Sequence, residues 1–532
     1  MKTALPWCMA LLVACGDPAT ALLAPGDEPT DPTADTAAVA QALTEAIIDC
    51  GAVIPRVGGE YVLSEIAQLE AIDSSGCNYL GGSLRVAFTV PLVPSAQRHL
   101  FSPPKLKHIT GRILQGSSWG GGSTQWVHFV GLEQVGAIEL HKGQACVYPV
   151  LATAGRIAMD EALDCSFPAL RSVSELQIDK ASEISGFNAL TSVQSLRISS
   201  DKLKLSGFRA LTQAGGIKLS SSKLASKNWT GSLPALTQLD ELDAERLDFF
   251  TFKLPKLSRV TGRASVRSSQ YTALGLKSLV TVGGSLSVHE DASSPDILYE
   301  GPAALERVDG SMDLSVNGGW LNGYKGLKSV GGMLTVSVGG AYPSLDAFAK
   351  LETTGGLHIQ GSPYEVRGFD KLTTINGPLW INHIDGVTAR GGSYVLPALT
   401  EVKGSVDLQL GCNAGESFPK LRTIGGSLRH DRWKGGRCRY SMTAGLPALE
   451  QVGGELTAYN ISDGYNALVR VGGTLSILSL TGSLNVTLPG FRKVTTVSGD
   501  LVLDKDITTH GPDSSQRLLD QLVGFTGRVI LM

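Results

Sequence analysis

The chain has 532 residues, of which 42% are hydrophobic and 18% are charged, and its formal net charge is -3. The hydrophobic content excludes a disordered chain, and 63 glycines without a period of three exclude both a coiled coil and collagen. The small net charge gives no strong attraction to nucleic acid, so we expect no nucleic-acid partner.

The first 15 residues are typical of a secretion signal. Lys2 precedes an apolar run over residues 4–14, which has the length of a signal-peptide core and is too short to span a bilayer. The run ends in Leu12-Val13-Ala14-Cys15, which resembles the lipobox of bacterial lipoproteins. The resemblance implies cleavage before Cys15, acylation of this cysteine and a membrane as partner through the lipid. The alternative is an ordinary signal peptide with an incidental cysteine.

Residues 16–36 are rich in Pro, Ala, Thr and acidic side chains and contain no Lys or Arg. This composition predicts a disordered tether between the anchor and a folded body. Asp17 lies two positions after Cys15, where some bacteria read an inner-membrane retention signal. We expect a location in the cell envelope, at the outer membrane or cell surface, while the choice between the two membranes stays open.

A repeat of the form Leu-x-x-Val-x-Gly-x-Leu-x-Val/Ile recurs through the chain with a period of about 22 residues, which predicts a solenoid. The alternation of Leu-x-Val predicts a short strand with one buried face. The glycine pairs are expected at bends where neighbouring coils leave no room for a Cβ. We therefore predict a mainly β fold, a parallel β-solenoid that forms a single body over residues 37–532. Clear copies of the repeat begin at Leu279, Leu327, Leu372, Leu421 and Leu468.

A second phrase, Gly-aromatic-x-x-Leu, precedes several of these strands, for example at Gly186-Phe187, Gly207-Phe208, Gly323-Tyr324 and Gly368-Phe369. Together the two phrases resemble the receptor L domain, the leucine-rich, right-handed β-helical domain of insulin- and EGF-receptor ectodomains. The resemblance covers residues 50–503 and implies a right-handed solenoid used for recognition. The chain departs from receptors because no cysteine-rich module separates two lobes, so the ligand contacts of receptors do not transfer.

Both ends of the solenoid are expected to be capped, because an open sheet edge invites aggregation. Residues 37–49 are Ala-rich with apolar residues at helical spacing, which predicts a helix in an N-terminal cap over residues 37–80. Residues 514–522 predict a helix that ends near Gly524, followed by a last strand over 529–531, in a C-terminal helical cap over residues 505–532.

Six cysteines remain after the signal segment, and an even number in an exported chain indicates disulfides. Fifteen pairings are open, but sequence neighbours are each separated by about one repeat, which would stack them on adjacent coils. We therefore favour these neighbour pairs. The alternative, a metal site, lacks any CxxC motif or Cys/His cluster, so no metal is expected. The three pairs are Cys50 with Cys77, Cys146 with Cys165, and Cys412 with Cys438.

The sequence offers three candidate binding patches, because Arg and Trp together are common in binding hot spots. The first combines basic and aromatic residues, the second lies in a Gly-rich stretch, and the third lies between coils. The alternative for the first patch is a solvated loop, and the alternative for the second and third is local packing. The candidates are Arg429, Arg432, Trp433, Lys434, Arg437, Arg439 and Tyr440 in the first patch, Trp119 and Trp126 in the second, and Trp320 in the third.

Motifs that would indicate catalysis are nearly absent from the sequence. Gly116-Ser117-Ser118-Trp119-Gly120 matches GxSxG, but the glycines that follow do not start the helix of a nucleophile elbow. We predict no catalytic residues and no cofactor. The expected function is noncatalytic binding of a protein or a glycan along the solenoid face. The alternatives are a purely structural envelope protein and, less favoured, a β-helix carbohydrate-active enzyme.

Overall fold

The computed structural model describes most of the repeat region in segments. The described residues are 47–87, 105–115, 129–141, 147–161, 165–221, 228–245, 250–268, 276–290, 298–299, 301–317, 320–321, 323–339, 344–361, 365–383, 393–410, 415–432, 446–459, 464–478, 489–504 and 514–532. The folded body is the compact unit Ile48–Met532. The predicted signal peptide with Cys15, the tether and residues 37–46 of the predicted N-terminal helix lie outside the described residues.

The body is a parallel β-solenoid with coils of about 22 residues, capped by short helices, which confirms the predicted fold class. One sheet of 32 strands runs through it. Among the described strand pairs only Arg56–Val57 with Glu60–Leu63 is antiparallel. The 32 strands are Arg56–Val57, Glu60–Leu63, Tyr79–Leu80, Leu84–Val86, His108–Gln115, Gln134–Leu140, Thr153–Asp160, Ser172–Asp179, Ser192–Ser199, Gln213–Ser220, Gln238–Glu245, Arg259–Val260, Ala264–Ser268, Thr281–Val282, Leu286–Glu290, Arg307–Val308, Met312–Asn317, Ser329–Gly339, Thr353–Gly361, Thr374–Ile375, Leu379–His383, Glu401–Val402, Val406–Leu410, Thr423–Ile424, Leu428–Arg432, Gln451–Val452, Leu456–Tyr459, Arg470–Val471, Leu475–Leu478, Thr496–Val497, Leu501–Leu503 and Val529–Leu531.

Two smaller parallel sheets form further along some of the coils, one within residues 183–253 and the other within residues 298–417. One consists of Glu183–Ile184, Lys202–Leu205, Asn228–Ser232 and Phe250–Lys253. The other consists of Leu298–Tyr299, Trp320–Leu321, Ser344–Asp346, Glu365–Arg367, Ser393–Val395 and Gly415–Ser417.

The register of the main sheet places equivalent repeat positions on top of one another. Leu176 pairs with Leu196, which in turn pairs with Ile217, and all three side chains are buried. Because side chains alternate between the two faces of a strand, this register buries every second residue and turns the others outward. A single hydrophobic core therefore runs through the stacked coils.

Most of the repeat glycines lie where the chain bends between two strands, while Gly331 and Gly355 lie within longer continuous strands, and at both kinds of position neighbouring coils touch through their backbones. A Cβ on Gly355 would overlap the carbonyl oxygen of Gly331, and a Cβ on Gly377 would overlap that of Gly355. The same relation links Gly472 to Gly453. This close approach confirms the reason for which the sequence predicted glycine at the bends.

The aromatic residues of the Gly-aromatic-x-x-Leu phrase stack inside the solenoid. Phe167, Phe187 and Phe208 are buried, and their ring centroids are 5.0 and 5.1 Å apart on successive coils. Each opens a tight turn, since the amide of Leu190 donates to the carbonyl oxygen of Phe187 at 3.3 Å. Phe187 and Phe208 belong to the phrase, whereas Phe167, Tyr148 and Phe129 extend the stack without a preceding glycine and therefore escaped the sequence pattern.

The N-terminal end differs from the sequence prediction. Residues 47–49 are not helical, and Asp49 instead forms a bridge with Tyr79 and caps the 3₁₀ helix Cys50–Ala52. An α-helix that the sequence analysis did not predict spans Ile66–Ser75. Its start is fixed by a capping box between Glu65 and Gln68, and it ends at Gly76, whose φ is 69°.

The C-terminal end matches its predicted elements closely. The helix spans Ser514–Gln521, Gly524 follows with a φ of 65°, and Val529–Leu531 pairs in parallel with Leu501–Leu503. A further 3₁₀ helix spans Pro489–Phe491. In the described part of the chain, none of the helices has the length and apolar character needed to cross a membrane.

One of the three predicted disulfides is present. Cys50 and Cys77 are bonded, with their Cα atoms 5.1 Å apart, and both are buried. Cys165 is also disulfide-bonded, and its partner lies outside the described residues. Cys146, Cys412 and Cys438 lie outside them as well, so the second and third pairings stay predictions.

We expect Gly472→Ala to destabilise the body because the new methyl group would meet the backbone carbonyl of Gly453. Overpacking of this kind costs about 1–3 kcal/mol of unfolding free energy. Urea denaturation followed by circular dichroism measures the loss. The matched control is Gly216→Ala, since no atom lies within 4 Å of a Cβ at that position. Equal stability of both variants would contradict the close approach of the coils.

Candidate functional site

Of the basic residues in the first predicted patch, the structure describes the side chain of Arg429 only. Arg429 lies in strand Leu428–Arg432, and its side chain is 51% exposed on the outer face of the main sheet. The backbone of Arg432 ends the same strand and pairs with Leu410. Trp320 begins strand Trp320–Leu321 of a smaller sheet, and only its backbone is described. The candidates outside the described residues are Trp119, Trp126, Trp433, Lys434, Arg437, Arg439 and Tyr440.

The alternation of the strand divides the sequence around Arg429 between two faces. His430 points into the core, where it is fully buried and its Nδ1 lies 2.8 Å from the hydroxyl oxygen of Tyr465. Asp431 returns to the outer face, beside Arg429. Residues 429–431 are therefore divided between the two faces of the sheet, and Arg429 has neighbours on adjacent coils.

Two outward columns of side chains cross these coils. In the first column Trp380 pairs with Asp407, and Asp407 pairs with Arg429. In the second column Asn382 pairs with Gln409, Gln409 with Asp431, and Asp431 with Tyr459. We call the outward surface formed by Trp380, Asn382, Asp407, Arg429, Asp431 and Tyr459 the polar–aromatic patch.

At one end of this patch, Arg429 links an acidic and an aromatic side chain. Its Nη2 donates to Asp431 Oδ2 at 3.3 Å, and its guanidinium carbon lies 5.8 Å from the centroid of the Tyr459 ring. The first contact is a charge-assisted hydrogen bond, and the second is within the range of a cation–π interaction. Both contacts restrict the rotamers of these long side chains.

At the other end, His358 supports the aromatic side chain. The rings of His358 and Trp380 meet edge to face, with centroids 5.6 Å apart, and Trp380 stays 38% exposed. Between the two ends, Gln409 Nε2 donates to Asp407 Oδ2 at 3.1 Å. The side chains of the patch are thus ordered by their own neighbours.

Three side-chain oxygens of the patch have no hydrogen-bond partner in the described structure and are buried: Asn382 Oδ1, Asp407 Oδ1 and Asp431 Oδ1. The other Oδ atom of each aspartate is already engaged, with Gln409 for Asp407 and with Arg429 for Asp431. A buried acceptor without a donor is unfavourable, and each such group calls for a specific explanation. Because each of these oxygens is shielded from solvent, it could accept a hydrogen bond from a ligand only after its side chain had moved.

Burial lowers the pKa of His358, and this effect exceeds the rise caused by the negative charge of Asp313. His358 is therefore neutral near pH 7. A neutral ring can accept through Nε2, which lies 3.5 Å from Asn382 Nδ2. Protonation would replace this acceptor with a second donor.

A separate concavity of about 710 Å³ lies beside the turns that follow strands Thr153–Asp160 and Ser172–Asp179. Its acidic residues face Lys180, whose Nζ is 3.1 Å from Asp160 Oδ1 and 3.9 Å from Glu161 Oε1. These ion pairs raise the pKa of Lys180. The lining carries four carboxylates and two lysines, so its negative charge is only partly neutralised.

Metal binding has no visible basis in the structure as described. Among the described residues, no group of three or more histidine, cysteine, aspartate or glutamate side chains could hold a metal ion.

The fold and the patch can now be set beside known proteins. No protein-family model, curated protein or solved structure matches it.

The sequence analysis missed five members of the patch, which are Trp380, Asn382, Asp407, Asp431 and Tyr459. Each occupies an outward position of a recognised repeat strand, either between or directly after the two buried residues. A search for polar and aromatic residues at these positions on successive repeats could have found them.

We expect acid to destabilise wild-type protein more than His358→Gln. Because the folded-state pKa of His358 lies below its ordinary value of 6.5, the histidine contributes stability above that pH. This contribution is lost as the pH falls through the lowered folded-state pKa. Thermal unfolding at pH 7.5 and 5 measures the difference.

His289→Gln is the control for the loss of a histidine, since His289 lies on an outer strand face as well. The same fall in melting temperature for wild type and His358→Gln would contradict the assignment of a neutral, hydrogen-bonded His358.

Proposed function

We propose that the protein is lipid-anchored in a bacterial cell envelope and binds a protein or a glycan, without catalysis, through the outer face of its solenoid. The observation that carries the binding role is the polar–aromatic patch. The four strands that carry it each pair with a strand on both sides, which makes the surface preorganised; they are Leu379–His383, Val406–Leu410, Leu428–Arg432 and Leu456–Tyr459.

The anchoring part of the proposal is supported by the amino terminus and by a disulfide. Leu12-Val13-Ala14-Cys15 ends a short apolar run and resembles a lipobox, and the Pro-rich acidic stretch after it suits a tether. The bond between Cys50 and Cys77 fits an exported protein, because disulfides persist in oxidising compartments.

The noncatalytic part of the proposal is supported by the form of the patch. Asp407 and Asp431 each use one oxygen in a side-chain hydrogen bond on an open sheet face. Carboxylate catalysis usually depends on a site that excludes water, which strengthens the electrostatic interactions within it. A flat, ordered surface suits recognition better.

We further propose that the repeats are of the receptor L-domain kind. The Gly-aromatic-x-x-Leu phrase supports this assignment, since its aromatic residues form a buried stack and its leucines close the turns. In that class of protein the solenoid serves recognition, which agrees with the proposed role of the patch.

We expect Cys15→Ala to move the protein from the membrane fraction to the soluble fraction of cells, because the acylated sulfur is lost. Cys8→Ala is the matched control, since Cys8 lies inside the apolar run and would be removed with the signal peptide. Fractionation with an immunoblot against the body gives the readout. Membrane retention of both variants would exclude lipid anchoring through Cys15.

The same antibody tests the outward location. Protease added to intact cells should digest the wild-type body while a periplasmic control protein survives. Protection of the body would place it in the periplasm, and the partner would then be sought among envelope proteins and peptidoglycan.

A further inference from the structure

We propose that the polar–aromatic patch is a subsite for a neutral oligosaccharide, whose sugar rings lie on Trp380 and Tyr459 and whose hydroxyls bond to the polar side chains between them. This inference rests on the proposed noncatalytic binding function and names its ligand class.

The aromatic side chains provide the first argument. Trp380 points outward and is 38% exposed, whereas the residues directly before and after it in the strand point inward and are fully buried. Its ring is held by the edge contact with His358, and Tyr459 is held by Arg429. An ordered aromatic ring presents an apolar face with a negative quadrupole, to which the polarised C–H groups of a sugar ring are attracted.

The unpaired acceptors provide the second argument. Asn382, Asp407 and Asp431 each have one side-chain oxygen without a donor in the described structure. These oxygens are shielded from solvent in the structure, so binding would require each side chain to rotate, and for the two aspartates this rotation would exchange the existing contact with Gln409 or Arg429. Neutral sugars carry several hydroxyl donors, and a hydroxyl bound to a carboxylate forms a charge-assisted hydrogen bond. The ligand would thus supply the donors that the protein lacks.

The net charge of the patch limits the class of ligand that it could bind. The patch contains two carboxylates and one guanidinium, and this guanidinium is already paired with Asp431. A polyanion such as nucleic acid or an acidic polysaccharide would meet an excess of negative charge. A neutral sugar meets acceptors without repulsion.

The backbone argues against a peptide strand as the occupant. The four strands of the patch have their hydrogen-bonding edges filled by adjacent coils, so a peptide has no open edge to extend. Protein interfaces also tend to be apolar at their centre, whereas Asp407 and Arg429 occupy the centre of this patch.

The dimensions fit a short oligosaccharide. Trp380 and Tyr459 are separated by three steps of the strand ladder. At about 4.8 Å for each step, the separation along the ladder is about 14 Å. This length suits a trisaccharide that spans both aromatic rings.

Saturation-transfer NMR and calorimetry test the proposal with the full mature chain and neutral trisaccharides. The probes are the linear trisaccharides of α- and β-linked glucose, mannose, galactose and N-acetylglucosamine. We expect at least one to bind, and we expect Trp380→Ala to weaken that binding tenfold or more. Trp380→Phe should retain part of the affinity because a ring remains. Asp407→Asn and Asp431→Asn should each weaken binding severalfold.

Asp243→Asn is the matched control, because Asp243 lies in the same outward column on a distant coil and pairs with Lys218 at 3.0 Å. Its affinity should equal that of wild type. No binding of any trisaccharide, or binding unchanged by Trp380→Ala with a wild-type melting temperature, would overturn the proposal. Saturable binding to purified envelope proteins that does not depend on Trp380 would also overturn it, while the proposed noncatalytic binding function would stand.

Discussion

The close approach of successive coils at the glycines of the repeat is the constraint on which the rest of the structure depends. Gly355 and Gly377 leave no room for a Cβ, because the carbonyl of the coil before fills that space. The backbones can therefore stack at the spacing that a parallel ladder needs. The same spacing allows Phe187 to stack on Phe167 and buries the leucines of each coil against the next.

This regular stacking also creates the proposed binding surface. Since the register repeats without a shift from Leu379–His383 to Leu456–Tyr459, outward residues far apart in sequence form straight columns. Asp407 and Arg429 are neighbours for this reason alone. The core tolerates polar exceptions where they are hydrogen-bonded, as at Thr354, whose Oγ1 donates to the carbonyl oxygen of Gly356 at 2.7 Å. Outward positions do not have to be leucine, so the side chains on the outer face can differ from coil to coil.

The sequence was sufficient for the fold and insufficient for the patch, and the difference has a physical cause. Buried positions such as Leu176 and Leu196 recur with the coil, so their period is visible in one sequence. Outward positions such as Trp380 carry no period and gain meaning only once the register is known. The helix Ile66–Ser75 was not predicted, because its capping box begins with Glu65 and not with the Ser or Thr that the sequence signature has.

Removal of one complete coil tests the central claim that identical register holds the body together. Strand Ala264–Ser268 pairs residue for residue with Leu286–Glu290, so deletion of residues 264–285 puts the second strand in the place of the first. We predict cooperative thermal unfolding and a β-rich circular dichroism spectrum for this variant, whereas deletion of residues 264–274 should abolish both. A folded half-coil deletion, or an unfolded full-coil deletion, would contradict the account.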